Sequence, residues 1–225
     1  MDDALDWLRL KLDTYPEGLY QPVPSLPVRA ATRATGSESR WRAMLPVIEE
    51  ASVRNAVDIG ASVGFFSINF GSLGIPTIAL EAAPEEYRTL LLAVRRSGLS
   101  KVGVLALQLT PDNVSMVPPA DCTLCLSVWH HFVCLHGLEQ ATAMLKAIWT
   151  RTGKVMFFDT GEAEMPSWFG LPEMRPNARS WLTGYLAETC ESSTVRHLGL
   201  HRAFDAQGNP CRRNLFGVIR EVGAS

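Results

Sequence analysis

The 225-residue chain has no apolar run that reaches the roughly 18 residues a membrane-spanning helix needs, and it has no internal repeat or low-complexity segment. Charge of one sign is also missing. Its 21 basic and 23 acidic residues leave a formal net charge of -2, so no global field draws it to nucleic acid or to an anionic membrane. The start, Met1-Asp2-Asp3-Ala4-Leu5-Asp6, is acidic and lacks the basic opening and apolar run of a secretion signal. The expectation is a soluble, cytoplasmic protein with no membrane partner, for which nucleic acid is disfavoured. Cysteine is sparse and odd in number: Cys122, Cys125, Cys134, Cys190 and Cys211 form no regular framework, which suits a reducing compartment. Cys122 and Cys125 have the spacing of half a zinc site, but they fall in an apparent strand, where residues three apart face opposite sides. They read as packing cysteines.

What is present is an apolar content of 47%, ample for one core. Leu5, Leu8 and Leu12 recur at helical spacing beside Trp7, which predicts a short amphipathic helix over residues 4 to 13. Pro16, Pro22, Pro24 and Pro27 then impose an extended path. The segment Arg29 to Arg42, with Arg29, Arg33, Arg40 and Arg42 among threonines, serines and Gly36, reads either as a solvated loop or as a lid over cofactor or substrate whose arginines hold a carboxylate or anionic substrate groups. Residues 1 to 40 are therefore expected as an N-terminal helix and lid, and 41 to 225 as the main domain, beginning with a helix over 41 to 51. From Asn55 the pattern alternates: strands over 55 to 59, 76 to 80, 101 to 107, 121 to 127 and 153 to 159, and helices over 64 to 73, 84 to 97, 137 to 150 and 178 to 191. Two final strands, 194 to 204 and 213 to 222, flank the turn-forming run Asp205 to Pro210. The fold class that follows is α/β, a Rossmann-like, doubly wound and mostly parallel seven-stranded sheet closed by an antiparallel C-terminal hairpin.

The stretch Asn55 to Ser67 runs as a buried strand, turns on glycine and opens a helix, a geometry that holds a nucleotide-like ligand. About twenty residues on, the strand ending Ala79-Leu80 delivers Glu81, a carboxylate placed for the two hydroxyls of a ribose. The turn is not a dinucleotide fingerprint, because Gly60 and Gly64 are separated by Ala61, Ser62 and Val63. Instead, Asp58-x-Gly60-x-Ser62-x-Gly64 resembles the first motif of the class I S-adenosylmethionine-dependent methyltransferases, with Ser62 in place of the middle glycine. Glu81-Ala82-Ala83-Pro84 is similar to that family's second motif, and the strand ending Leu126-Ser127-Val128-Trp129-His130-His131-Phe132 to its post-strand segment beside the methyl donor. The likeness covers about residues 40 to 222. It implies S-adenosylmethionine as cofactor, held by Asp58, Gly60, Ala61, Ser62, Gly64 and Phe65 at the turn, Glu81 and Ala82 at the ribose, Gln108 beside the adenine and Ser127 at the methyl.

Methyl transfer is an in-line displacement, so the protein aligns a nucleophile and excludes water, and a hydroxyl acceptor must also lose its proton. Histidine is the side chain suited to that near neutral pH. His130 and His131, on the carboxyl edge of the fourth strand, are the candidate bases. If strand alternation continues, one faces the cleft and the other packs away; His136 reads as a surface residue. The loop after the fifth strand adds Asp159 as a further catalytic candidate, with Glu162 and Trp168 as candidate substrate contacts and Glu164 and Phe169 nearby. A divalent metal on these carboxylates is conceivable but not favoured, and a third reading has Trp168 plugging the core. His197, His201, Arg202, Arg212 and Arg213 either reach the same mouth or lie at the surface.

No Pro-Pro-Tyr-like or double-glutamate motif follows the fourth strand, which disfavours nitrogen acceptors. A small-molecule or oligosaccharide acceptor remains, and the acidic loop with Trp168 leans toward carbohydrate O-methylation. A nicotinamide-dependent oxidoreductase and a catalytically silent S-adenosylmethionine-binding assembly subunit stay open as alternatives. The sequence carries no signal of oligomeric state.

Overall fold

The computed structural model describes residues 21–23, 34–205 and 207–221. The helix expected over residues 4 to 13 and most of the proline-rich and arginine-rich segment, Arg29 and Arg33 included, lie outside those residues.

Among the described residues the chain forms α1 (Ala34–Glu50), β1 (Ala56–Ile59), α2 (Phe65–Ser72), β2 (Thr77–Glu81), α3 (Pro84–Ser97), β3 (Val102–Ala106), β4 (Ala120–Leu126), α4 (Trp129–Thr150), β5 (Thr152–Asp159), α5 (Ala178–Thr189), β6 (Ser193–Phe204) and β7 (Pro210–Arg220). The strands make one seven-stranded sheet in the order β3-β2-β1-β4-β5-β7-β6. β1 to β5 pair in parallel, while β7 runs antiparallel to both β5 and β6, as the sequence pattern predicts. Strand order reverses between β1 and β4, and the crevice at their carboxyl ends is where such sheets take ligands.

Burial follows the period of two. Cys122, Leu124 and Leu126 of β4 join Val155 and Phe157 of β5 against Met44, Val47 and Ile48 of α1 and Phe66 and Phe70 of α2. Cys125, Met156 and Phe158 point the other way, onto Trp129, Met144, Leu145 and Ile148 of α4 and Leu182 and Leu186 of α5. Cys122 and Cys125 therefore do face opposite sides, and all five cysteines are free. Trp129 is wholly buried, and its indole N–H donates to the Tyr185 hydroxyl at 3.0 Å, satisfying the one polar atom that burial would strand.

Two elements differ from the sequence expectation. Residues 34 to 40, expected in a loop or lid, are the first two turns of α1, so the boundary expected near residue 40 falls inside a helix. The helix expected over 137 to 150 begins at Trp129 instead; Gly137, at φ 78° and ψ 164°, interrupts it, and this interruption is what the sequence presents as a start. No described helix is long and apolar enough to cross a membrane.

Candidate functional site

The turn after β1 is built on left-handed residues: Gly60 (φ 68°), Ser62 (φ 54°) and Gly64 (φ 92°). A Cβ on Gly60 would lie 2.6 Å from a Val128 methyl, so glycine is required there by both backbone and space. Ser62, the departure from the motif, sits in a conformation that costs a non-glycine residue about 1–2 kcal/mol. Its amide offsets that cost by donating to Glu81 Oε2 at 2.7 Å. The Ala83 amide donates to Glu81 Oε1 at 2.8 Å, so two backbone groups fix the carboxylate at the end of β2. Each oxygen keeps acceptor capacity for a further hydroxyl, which fits a ribose.

Below the turn, Asp58 is buried and accepts from the Ser67 hydroxyl at 2.6 Å, tying β1 to the start of α2. Burial is the dominant influence on it; Ser67 opposes and the Glu81 charge reinforces, and the carboxyl is pushed up to about 6. Phe65 is buried edge-on to Phe66 at 5.1 Å, and Ala82 is exposed beside Glu81. Gln108 is exposed just beyond β3, where the Leu107 amide donates to the Glu81 carbonyl at 3.0 Å, placing the end of β3 beside the ribose carboxylate. The residues implied for the adenosine half thus gather on the β1-β2-β3 carboxyl edge.

The other half of the crevice lies over β4, β5 and β7. Ser127, left-handed at φ 57°, donates its hydroxyl to Asp159 Oδ1 at 2.8 Å, and its amide donates to the Asp159 carbonyl at 3.0 Å. Asp159 is itself buried and ion-paired to Arg40 of α1 at 2.6 Å, so this catalytic candidate is a positioned anion joining α1, β4 and β5. Glu164 accepts from Arg213 Nε at 2.7 Å, and Glu162 accepts from the Asn214 amide at 2.6 Å and its side-chain nitrogen at 2.9 Å. Burial raises the Glu162 carboxyl against those bonds. Among the described residues no three His, Cys, Asp or Glu side chains converge as metal ligands, and each carboxylate of this loop is committed to a donor from α1 or β7.

His130 and His131 lie in the first turn of α4, not on a continuing strand, so neither alternates away from the other; their rings stack at 4.3 Å. The Gly161 amide donates to His130 Nδ1 at 3.0 Å, and the Thr160 hydroxyl lies 3.2 Å from the same nitrogen. A nitrogen that accepts from a backbone N–H carries no proton, so the neutral ring has its hydrogen on Nε2. Burial first, then His131 and the Arg213 charge, keep His130 well below the ordinary histidine pKa. His131 is exposed, yet one side of its ring meets His130 and Phe169, and this desolvation together with Arg213 also lowers its pKa. Neither of its ring nitrogens has a hydrogen-bond partner among the described residues.

Trp168 does not plug the core. It is 68% exposed, with its ring 4.1 Å from that of Phe169, which is the buried member of the pair and touches both histidines. His136 is half-buried, not a free surface residue. The sequence reading passed over Thr160, Gly161 and Asn214, and it left Arg213 undecided. The available signal was Arg213-Asn214 directly before Leu215-Phe216-Gly217-Val218, two polar groups opening the buried run of a central strand.

No protein-family profile matches the sequence, and no curated protein matches it. Solved structures do. The chain is similar to the bifunctional kinase-methyltransferase WbdD at 19% identity and a TM-score of 0.72, over 94% of this chain and 45% of that one. It is similar to the magnesium protoporphyrin IX methyltransferase ChlM from Synechocystis PCC 6803, solved with bound S-adenosylmethionine, at 11% identity and a TM-score of 0.62, over 84% and 82% of the two chains. EvdMO1 matches at 15% identity and a TM-score of 0.58, over 81% of this chain and 41% of the other. The chain spans less than half the length of WbdD. The fold is that of the class I S-adenosylmethionine-dependent methyltransferases.

Proposed function

We propose that the protein is an S-adenosylmethionine-dependent O-methyltransferase that acts on a hydroxyl of a small or oligomeric carbohydrate acceptor, with His131 as general base. S-adenosylmethionine supplies an electrophilic methyl group when bound. Glu81 receives the ribose hydroxyls, the Gly60 to Gly64 turn permits close backbone approach, and Asp58 places negative charge beneath it. The observation that carries the reading is the unequal state of the two histidines. His130 is locked with Nδ1 as acceptor, which makes Nε2 a donor and removes it as a base. His131 stays neutral at neutral pH with both ring nitrogens free of protein partners, so it is ready to take a hydroxyl proton. His130 acts as a positioning residue, holding the His131 ring by stacking. Trp168 supports the carbohydrate reading, because an exposed indole packed on Phe169, which itself touches both histidines, offers a flat apolar face to a sugar ring.

The test has two stages. S-adenosylhomocysteine at about 100 times its Kd should stabilise the protein by about 2.7 kcal/mol, seen as a rise in Tm; no rise at saturation defeats the methyl-donor reading. Methyl transfer from labelled S-adenosylmethionine to a panel of sugars should then fall about 100-fold in His131→Ala with cofactor affinity unchanged. Near-full turnover in that variant would remove His131 from the role.

A further inference from the structure

A small cleft opens to solvent beside the carboxyl end of β4, between α1 and the tip of the β6–β7 hairpin. Its lining includes Gln21, Ser37, Arg40, Ser127, Arg202 and Arg213, an unusual concentration of donors. Arg40 and Arg213 are paired with Asp159 and Glu164, but Arg202 has no carboxylate partner among the described residues; its guanidinium rests 5.4 Å from the centre of the Phe204 ring. Among the described residues, Arg202 is thus the lining guanidinium with no carboxylate beside it. Arg40 spends Nε on the Gly36 carbonyl and one terminal nitrogen on Asp159, which leaves its other terminal nitrogen available.

Two further groups are independent of this charge. The Ser37 hydroxyl is wholly buried, and the Gln21 side-chain oxygen belongs to a residue 7% exposed; neither has a hydrogen-bond partner among the described residues. Leaving such a group unpaired costs about 1–3 kcal/mol, so two around one cleft mark a place where a water or a ligand atom completes the bonding. Ser37 has a proton to donate, and rotation of the Gln21 amide presents N–H instead of oxygen at the same position. The set is donor-rich and cationic, and it meets the acceptor half of the crevice through Ser127, not the ribose half through Glu81.

We propose that this cavity receives an anionic oxygen group of the acceptor, a carboxylate or a phosphate monoester, bound by Arg202, Arg40 and Ser37. The inference deepens the methyltransferase reading and rests on it: the anion is the handle by which an acidic sugar is oriented, and a separate hydroxyl is presented to His131. Arg202 and Ser37 are recognition residues in this scheme and take no part in the proton transfer.

The experiment titrates the protein, with and without saturating S-adenosylhomocysteine, with glucuronate, glucose 6-phosphate, acetate, inorganic phosphate and neutral glucose at constant ionic strength, reading calorimetric affinity and Tm. Either the carboxylate pair or the phosphate pair should bind saturably, which identifies the source of the anion, and glucose should not. In Arg202→Gln and in Ser37→Ala the affinity for that anion should fall at least tenfold, while Tm without ligand stays level or rises, because Arg202 has no ion pair and Ser37 is an unpaired buried hydroxyl. Binding that is unchanged in both variants overturns the proposal, as does the absence of saturable binding by any anion. Anion binding abolished by S-adenosylhomocysteine also overturns it, because the cavity would then hold the cofactor's own carboxylate. Failure of S-adenosylhomocysteine to bind would defeat the methyl-donor reading alone, because the anion titrations are read separately on the free protein.

Discussion

Replacing Asp58 with asparagine should make the ligand-free protein more stable at neutral pH. Asp58 is 2% exposed, and its carboxyl is raised from an ordinary 3.8 to about 6, chiefly by burial, against the Ser67 hydrogen bond and with added repulsion from Glu81. Between those two values the folded chain holds this proton more tightly than the unfolded chain does. Stability therefore falls as pH rises through the window and is lowest above pH 6. At about 1.36 kcal/mol per pH unit, the interval corresponds to about 3 kcal/mol. Asparagine imitates the protonated acid, can still accept from the Ser67 hydroxyl, and cannot ionise. Urea unfolding of both proteins should give equal stabilities near pH 4 and a gap opening to about 3 kcal/mol in favour of Asp58→Asn by about pH 7. Taking the difference between the two proteins cancels the titration of every other group. A gap that stays flat across this range, or a variant less stable at neutral pH, would refute the reasoning. The charge is then a stability cost held in place beneath the turn, as expected of a group that faces a cationic donor, and the same variant should bind S-adenosylhomocysteine more weakly.

Glu81→Gln leaves only one side-chain oxygen for the two amides of Ser62 and Ala83, so one amide loses its acceptor; a loss of about 1–3 kcal/mol and weaker S-adenosylhomocysteine binding should appear together in unfolding and titration experiments. Gly36→Ala places a methyl against the backbone carbonyl of Arg202, which no rotamer change can relieve, so α1 must move off β6 at a cost of about 1–3 kcal/mol; unchanged Tm would show that the contact is looser than it is drawn. The acid limb of kcat/KM should lie below pH 6.5, because burial and the Arg213 charge depress His131; as pH falls through that lowered value the base gains its proton and activity is lost. An acid limb above 7 would assign the base to another group.

The sheet was legible because its signals are local and periodic. β4 and β5 are near-continuous apolar runs, and Gly60, Gly64 and Glu81 stand at spacings that backbone geometry dictates. The start of α4 was not legible, because Trp129-His130-His131-Phe132 follows the strand with no proline or glycine to mark a boundary, and the strong break in the stretch, Gly137, falls inside the helix. The roles of the two histidines were hidden for another reason: they depend on the Gly161 amide, 31 residues away, which no pattern around position 130 contains. The arginines were visible as residues but not as partners. Arg40 meets Asp159 across 119 positions and Arg213 meets Glu164 across 49, pairings that only the closed sheet creates.

In the proposed function His131 must stay unprotonated in a crevice that also holds Arg213 and Arg40. Burial first, and the Arg213 charge after it, lower the pKa of both histidines; for His131 in the proposed role this costs basicity but keeps the ring unprotonated, and a base that is already protonated is of no use to a hydroxyl. Glu164 pairs with Arg213 at 2.7 Å and Asp159 with Arg40 at 2.6 Å. Of the carboxylates that the sequence offered as metal ligands or substrate contacts, Asp159 and Glu164 fix these two arginines, and Glu162 fixes Asn214. Among the described residues that line the cleft, Arg202 has no carboxylate partner, and it stands at the hairpin tip that α1 approaches through Gly36, where the proposed anionic acceptor would meet it.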